Sequence, residues 1–298
     1  MNTLITIVGP TAIGKTALSI QLAQHYNSDI ISCDSRQFYK EMNIGTAVPE
    51  PKELAAITHH FIQNRSIFED YNVGSFEKDA LHKLNELFSK NSIQIMVGGS
   101  GLYVDAVLKG LDYFPKIAPE IRSELTLRLE KEGIQVLQKK LKELDLKTYN
   151  TIAIDNPHRL TRALEICIGS GETYSSFKNK PKEPRNFKSI KIGLNADREI
   201  IYNRINQRVD LMIENGLLEE AKTLYIHKKL NALQTVGYRE LFEYFNDNWT
   251  LEFAVSEIKK NTRRFAKRQL TWFRKDPNTL WFDYNESIDN IIAKISSI

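Results

Sequence analysis

A glycine-rich segment near the amino terminus has the residue types that bind phosphate. It reads GPTAIGKT and fits the pattern G-x-x-x-x-G-K-[ST]. In such a loop the backbone N–H groups surround phosphate oxygens, Lys15 neutralises phosphate charge, and the Thr16 hydroxyl can hold Mg²⁺, the cofactor we expect. A turn whose glycines serve only geometry would not need the Lys-Thr pair. The predicted phosphate-binding residues are Gly9, Pro10, Thr11, Ala12, Ile13, Gly14, Lys15 and Thr16.

The loop by itself does not reveal what happens to the bound phosphate. Motor and switch NTPases usually have an acidic residue at the end of a neighbouring strand, but the segment from Met96 to Gly101 has no carboxylate. This composition argues against ATP hydrolysis. The remaining candidate functions are a small-molecule kinase and an enzyme in which diphosphate is the leaving group.

Asp34 is the carboxylate that the predicted fold brings to the same crevice, because it follows a second buried strand. It can act as a general base, hold Mg²⁺ in a kinase, or cap a local turn, and the residues alone leave these roles open. The loop Gly98–Gly101 ends a third strand at this edge. Its glycines permit close backbone approach, and the Ser100 hydroxyl can contact phosphate or a base.

The elements that must position these residues alternate as strand, loop and helix. Apolar, β-branched runs predict buried strands at Leu4–Val8, Ile30–Cys33, Ile93–Val97 and Ile190–Leu194. Helical patterns begin at Lys15 and near Leu102. This order predicts an α/β fold with a parallel P-loop sheet, followed by a helix-rich carboxyl-terminal part.

The character of the chain changes after Pro115, where helical spacing replaces the strand pattern. We predict a helical insertion domain over residues 114–188, including a helix over Pro157–Ile168. The P-loop core would then have a first part over residues 1–113. Its second part, residues 189–298, would contain a basic carboxyl-terminal helix.

The composition describes an ordinary globular chain, with 298 residues, 42% hydrophobic and 26% charged. Its longest uncharged run, 14 residues, is too short for the roughly 20 that a membrane-spanning helix needs. No basic residue precedes the first apolar run, so we expect a cytoplasmic protein without a secretory signal. Cys33 and Cys167 lie in apolar surroundings and predict buried, reduced thiols.

The net charge of +4 is too small to indicate nucleic acid, but the charges are clustered. Lys259–Lys275 has eight basic and no acidic residues, and helical spacing places Lys267 on a charged stripe opposite Ile258, Phe265 and Trp272. This stripe either contacts RNA phosphates or is a solvated face balanced by acids elsewhere. His158, Arg159 and Arg162 begin the insertion helix, where they either clamp RNA or form ion pairs within the insertion.

Seven segments, taken in order along the chain, resemble the sequence blocks of the bacterial tRNA dimethylallyltransferases, also called tRNA isopentenyltransferases. They are Gly9–Thr16 (GPTAIGKT), Asp34–Tyr39 (DSRQFY), Ile44–Ala47 (IGTA), Gly98–Tyr103 (GGSGLY), Asn156–Glu165 (NPHRLTRALE), Val236–Leu241 (VGYREL) and Lys267–Arg274 (KRQLTWFR). Any one block is weak, but the ordered series spans most of the chain and is highly specific.

The resemblance implies that a dimethylallyl group is transferred from dimethylallyl diphosphate to N6 of the adenosine 3′-adjacent to the anticodon in tRNA, with release of diphosphate. It implies that Asp34 accepts the N6 proton, that Ser100 contacts the reacting region, and that Arg208 joins Lys15 and Thr16 around the diphosphate. Ser100 stands where the family usually has Thr, but it keeps the hydroxyl.

The resemblance also assigns contacts with the anticodon stem-loop of tRNA. These fall on Asp34, Ser35, Arg36, Gln37, Ser100, Arg122, His158, Arg159, Leu160, Thr161 and Arg162. We expect no obligate protein partner. The alternative functions are a small-molecule kinase that uses ATP and a non-catalytic RNA-binding module.

Overall fold

A computed structural model describes all 298 residues, Met1 to Ile298. The chain divides into a core unit, residues 1–109 and 185–298, and an insertion, residues 110–184. The predicted insertion boundaries therefore lie four residues late at each end (114 against 110, and 188 against 184). The reason is that Lys188 already pairs with Thr3 in the sheet, and Arg185 binds Glu77 and the Ala106 carbonyl within the core unit.

The core unit contains one six-stranded sheet in which every neighbouring pair is parallel. Its strands are β1 (Thr3–Val8), β2 (Ile30–Ser32), β3 (His59–His60), β4 (Ile93–Val97), β5 (Lys188–Asn195) and β6 (Leu280–Asp283), in the order β3-β2-β4-β1-β5-β6. The predicted α/β class is confirmed. The carboxyl ends of β1, β2 and β4 meet at one edge, which brings together the three loops singled out in the sequence.

The sequence reading missed two edge strands. β3 is only two residues long, which gives no periodic signal. β6 pairs with β5, and the Trp281 ring fills the space where a side chain on Gly193 would lie. Because β6 has four residues and its partner lies far away in sequence, the helical patterns around it hid this strand.

Helices surround the sheet and make up the insertion. The core helices before the insertion are α1 (Lys15–Tyr26), α2 (Pro51–Ala56), α3 (Val73–Phe88) and α4 (Gly101–Lys109). The insertion contains α5 (Pro119–Glu132), α6 (Ile134–Leu144), α7 (Leu146–Tyr149), α8 (Pro157–Ser170) and α9 (Tyr174–Phe177). The remaining core helices are α10 (Arg198–Glu214), α11 (Leu217–Leu224), α12 (Tyr238–Phe245), α13 (Leu251–Phe273) and α14 (Ile288–Ser296). Short 3₁₀ helices lie at Ile44–Thr46, Tyr225–His227 and Asn231–Leu233.

Helices cover both faces of the sheet, and alternating residues of β1 pack against the two layers. Ile5 and Ile7 belong to one buried cluster, together with residues of α1, α10 and α14, while Leu4 and Val8 belong to a second, with residues of α3 and α4. A strand buried on both faces is apolar throughout, as the run LITIV is. A third cluster around the fully buried Tyr238 joins α10, α11, α12 and α13.

The insertion is wholly helical and has its own hydrophobic core. The buried residues of that core are Leu125, Leu137, Leu141, Leu160, Ala163, Leu164 and Cys167.

Both cysteines of the chain are buried and unpaired. No helix is long and apolar enough to cross a membrane.

Candidate active site

The glycine-rich loop between β1 and α1 has the backbone conformation of an anion cradle. Gly9 has φ 145°, and a Cβ there would lie 2.7 Å from the Leu194 carbonyl oxygen, so only glycine fits against β5. Ala12 and Gly14 also have positive φ, 63° and 110°. Left-handed residues of this kind are typical of loops whose successive N–H groups line one concavity. The first amides of α1 have no partner within the helix and add to the site.

Lys15 folds back over its own loop. Its Nζ donates hydrogen bonds to the carbonyl oxygens of Gly9 at 3.1 Å and Pro10 at 2.8 Å. Burial of the ammonium lowers the pKa of Lys15 to about 8, the Asp34 carboxylate opposes this shift, and Arg208 adds to it. The structure thus brings three predicted site residues within electrostatic range of one another.

Asp34 follows β2 and faces the same crevice. Burial raises the pKa of its carboxyl group, whereas the Arg36 backbone N–H, Lys15 and Arg208 act in the opposite direction. The Arg36 N–H donates to Oδ1 at 3.1 Å, so Asp34 does cap a local turn. This bond uses one carboxylate oxygen and leaves acceptor capacity on the group. A raised pKa favours proton acceptance, so the turn role and the base role are compatible.

Ser100 ties two loops of the site together. Its Oγ accepts a hydrogen bond from the Ser35 backbone N–H at 3.0 Å and donates one to the Ser35 hydroxyl, also at 3.0 Å. The glycine-rich loop after β4 is thereby held against the residue that follows Asp34. A hydroxyl is sufficient for both bonds, which explains why Ser can stand where the related family usually has Thr.

Two cavities meet at Asp34. The P-loop cavity, about 440 Å³, is lined by residues that include Gly14, Lys15 and Thr16. The α13 cavity, about 430 Å³, is lined by residues that include Ser35, Ser100 and Arg268. The residues that line both are Thr11, Asp34, Thr46, Ala47, Arg208 and Met212. One carboxylate, that of Asp34, and one guanidinium, that of Arg208, therefore face both cavities.

The donor atoms around the P-loop fit a magnesium ion that is coordinated partly by the phosphate oxygens of a bound substrate. No group of three or more His, Cys, Asp or Glu side chains is placed to hold a metal ion. Mg²⁺ typically takes one or two protein oxygens and completes its coordination with phosphate oxygens and water. The Thr16 hydroxyl lines the P-loop cavity beside Lys15 and is the predicted protein ligand of this kind.

Two of the predicted RNA contacts after β2 are engaged within the protein. The Arg36 guanidinium donates to the carbonyl oxygens of Asn231 at 2.9 Å and Ala232 at 3.0 Å. The Gln37 amide donates to the carbonyl oxygens of Thr46 at 3.2 Å and Ala47 at 2.8 Å. Gln37 lines the P-loop cavity and not the α13 cavity, so its side chain supports the site wall.

The predicted RNA contacts in the insertion separate into three groups. Leu160 and Thr161 are buried in the insertion, so their side chains do not face solvent. Arg162 and Arg122 face the Glu165 carboxylate at 3.1 and 3.9 Å, which is the ion-pair alternative. His158 and Arg159 are exposed at the start of α8 and form no ion pair.

Helix α13 presents cations that no acid neutralises. Arg264, Lys267, Arg268 and Arg274 are exposed and form no ion pair, whereas Lys260 pairs with Glu257. Ile258 is buried as predicted, but Phe265 is 38% exposed and lines the α13 cavity. The face opposite the charged stripe is therefore buried at Ile258 but borders a cavity at Phe265. The balance by acids is therefore confined to the beginning of the stretch, where Lys259 pairs with Asp210 and Lys260 with Glu257.

A model of the family described as IPP transferase matches residues 37–276. The chain belongs to this family. A tRNA dimethylallyltransferase of Flavobacterium psychrophilum is 63% identical over 303 residues, covering 100% of this chain and 99% of the relative. One of Christiangramia forsetii is 63% identical over 296 residues, covering 99% and 98%. The family predicted from the sequence blocks is confirmed, and this enzyme is a prenyltransferase.

Solved structures agree with this family. The full-length tRNA isopentenylpyrophosphate transferase of Bacillus halodurans is 37% identical with a TM-score of 0.73, covering 100% of this chain and 95% of that one. A eukaryotic dimethylallyltransferase acting on tRNA is 27% identical with a TM-score of 0.82, covering 96% and 75%. The matches favour neither the kinase nor the RNA-binding module.

Sequence reasoning missed the residues that hold the walls of the transferase site. The Glu220 carboxylate accepts hydrogen bonds from the backbone N–H groups of Asn43 (3.0 Å), Ile44 (2.8 Å) and Gly45 (2.9 Å). The Tyr238 hydroxyl donates to the same carboxylate at 2.6 Å. The turn that lines both cavities is thus clamped from α11 and α12. Of these two residues, only Tyr238 lies in one of the sequence blocks, Val236–Leu241.

Gln269 of α13 is a second residue that sequence reasoning passed over. Its buried side chain is bonded to the backbone of Thr11 and of Gly99. The residue stands inside the block KRQLTWFR, where the pattern of charges drew attention to its neighbours. An uncharged, buried side chain gave no signal of its own.

The opposite pKa shifts of Asp34 and Lys15 predict a bell-shaped dependence of kcat/KM on pH. Activity should rise as Asp34 ionises, above the usual range for an aspartate, and fall above about pH 8 as free Lys15 loses its proton. Arginine stays charged throughout, so Lys15→Arg should remove the alkaline limb at some cost in activity. Steady-state rates against prenyl diphosphate at varied pH measure this. An alkaline limb unchanged in the variant would contradict the assignment to Lys15.

Proposed function

We propose that the protein transfers a dimethylallyl group from dimethylallyl diphosphate to N6 of the adenosine 3′-adjacent to the anticodon in tRNA, releasing diphosphate. The observation that supports this most directly is the position of Asp34, at the junction of a phosphate-binding cavity and a second cavity bordered by unpaired cations. A non-catalytic binding module would not need a buried carboxylate between two such cavities. Family membership supports the same reaction.

The P-loop cavity is suited to the diphosphate of the donor. Backbone amides of the loop, Lys15 and Arg208 supply positive potential on the side where the leaving group would lie. Burial lowers the pKa of Arg208, but a guanidinium remains charged in proteins. Positive groups that are fixed before reaction stabilise the charge that accumulates on a departing diphosphate.

Magnesium fits the same part of the site. Thr16 and the donor's diphosphate would hold the ion, which would supply further neutralisation of the leaving group. The protein groups of the loop do not depend on it for their own positions, because Lys15 is held by the carbonyl groups of Gly9 and Pro10.

The acceptor, the N6 amine of the adenosine, must also be made to react. The amino group of adenine is a poor nucleophile, because its lone pair is delocalised into the ring. The allylic carbon compensates, since it can carry positive charge as the bond to diphosphate breaks. As the new C–N bond forms, N6 must lose a proton, and Asp34 is the base placed at the junction. Its negative charge also favours transient positive charge on the allylic carbon.

The adenosine must leave its stack in the anticodon loop to reach Asp34. Enzymes that modify a base commonly extrude it into a pocket, at a cost of a few kcal/mol that is smaller for unpaired bases. The α13 cavity is the site we propose for the extruded adenosine, with Ser35 and Ser100 in its wall. Lys267 and Arg268, with His158 and Arg159 of the insertion, would contact the RNA backbone. We propose that the enzyme works in the cytoplasm, where its tRNA substrate is found.

Incubation with labelled dimethylallyl diphosphate or labelled ATP, each with and without tRNA, tests the proposal. We expect label from the prenyl donor in tRNA and stoichiometric release of diphosphate. Digestion of the product should place the label on the adenosine 3′ of the anticodon. A phosphorylated metabolite formed from ATP would support the kinase instead, and RNA binding without turnover would support the binding module.

Asp34→Asn should remove the base but keep the side-chain shape and the acceptor for the Arg36 N–H. We expect kcat to fall by about 10²–10⁴-fold, while the affinity for diphosphate changes little. Single-turnover rates and calorimetric titration measure the two effects. Asp283→Asn is a matched control, because Asp283 also ends a strand and accepts a backbone N–H two residues later. Normal turnover by Asp34→Asn would exclude Asp34 as the base.

Lys267→Ala should weaken tRNA binding in a salt-dependent way and leave donor binding intact. Each lost phosphate contact reduces the slope of log K against log salt by about 0.7 to 0.9. Lys294→Ala is the control, because Lys294 is exposed on α14, the helix that packs against α1. Binding of an anticodon stem-loop at several salt concentrations measures the slopes, and Arg159→Ala should behave like Lys267→Ala. Equal slopes for all variants would contradict phosphate contacts.

A further inference from the structure

The carboxamide of Gln269 connects two loops that are far apart in the sequence. Its Oε1 accepts a hydrogen bond from the Thr11 backbone N–H at 2.9 Å, and its Nε2 donates one to the Gly99 carbonyl oxygen at 2.9 Å. The side chain is only 5% exposed. One planar group from α13 therefore satisfies a donor of the P-loop and an acceptor of the loop after β4.

Both partners of Gln269 belong to the reacting region. Thr11 lines both cavities, and Gly99 precedes Ser100, whose hydroxyl is bonded to Ser35. A Cβ on Gly99 would lie 2.2 Å from the Gln269 Nε2 and 3.9 Å from the Asp34 Oδ2. The carboxamide thus packs against the backbone beside the proposed base, and the glycine makes this approach possible.

The chemistry of the position requires an amide. A primary amide offers an acceptor and a donor on one rigid group, whereas glutamate when ionised offers acceptors only and leucine offers neither. Glutamine is also neutral, so it adds no charge to a site in which Asp34 and Lys15 already influence each other's pKa. Loss of the amide would leave the Thr11 N–H and the Gly99 carbonyl without these partners in a buried place.

We propose that Gln269 is a positioning residue that sets the spacing between the donor-binding loop and the loop that carries Ser100. This inference rests on the proposed function, because the spacing matters when an allylic carbon held on one side must meet the N6 amine and Asp34 on the other. Gly14, Lys15, Thr16 and Arg208 do not depend on Gln269 for their hydrogen bonds. The residue should therefore affect the rate of transfer more than the affinity for diphosphate.

Comparison of Gln269→Leu and Gln269→Glu with Gln94→Leu tests this role. Gln94 is a matched control, because it is equally buried and its amide donates two hydrogen bonds, to Leu87 and Asn91, at the opposite end of β4. We expect Gln269→Leu to lower kcat by about 10- to 100-fold, since a displacement near 1 Å can cost about 10²-fold. KM for the donor should change by less than about threefold. Gln94→Leu should lower Tm and leave kcat unchanged.

The glutamate variant removes the donor to the Gly99 carbonyl and, when ionised, adds a negative charge near Asp34. It keeps the shape and the acceptor for the Thr11 N–H, but it turns an oxygen toward the Gly99 carbonyl, so kcat should fall in this variant as well. If the leucine variant does not fold, the isosteric glutamate variant provides the same test. Wild-type kcat in both variants would overturn the proposal. A fall in kcat of the same size in Gln94→Leu would also overturn it, because the loss of activity would then follow the loss of stability. Failure of the wild-type protein to transfer a prenyl group would instead overturn the proposed function.

Discussion

Asp34, which lines both cavities, and Lys15, which lines the P-loop cavity, carry opposite charges, and burial acts against both charges. It raises the pKa of the carboxyl group and lowers that of the ammonium to about 8, while each group opposes the shift of the other. Taking either charge away leaves the other less well compensated in a desolvated site. The rest of the core unit can be understood as the means of holding this pair in place with Arg208 beside it.

The parallel sheet provides the first part of that support. Because β1, β2 and β4 run in the same direction and lie side by side, the P-loop, Asp34 and the Ser100 loop all emerge at one edge. Hydrogen bonds then fix the distances between them. Ser100 bonds to Ser35, Gln269 bonds to the P-loop and to the loop after β4, and Glu220 holds the turn that lines both cavities.

The distribution of ion pairs distinguishes cations that are bound within the protein from cations that are exposed and unpaired. Arg122 and Arg162 both face Glu165 in the insertion, and Arg36 is bound to backbone carbonyls. Lys267 and Arg268 have no such partners, and Arg268 lines the cavity that reaches Asp34. The same helix also bears Gln269, so α13 carries cations toward solvent and an amide toward the reacting loops. A single element can do both because successive residues on a helix point in different directions.

The sequence by itself determined what is local. The P-loop between β1 and α1, the strand ends at Asp34 and Gly98, and the helical character of the insertion all follow from short-range patterns of residues. The ordered blocks also identified the family. Tertiary structure decided the rest, namely that Leu160 is buried, that Phe265 faces a cavity, that β6 completes the sheet, and which distant side chains clamp the loops. Glu220 contacts a turn about 175 residues away, and Gln269 reaches Thr11 across 258 residues, so their roles arise only when the chain folds.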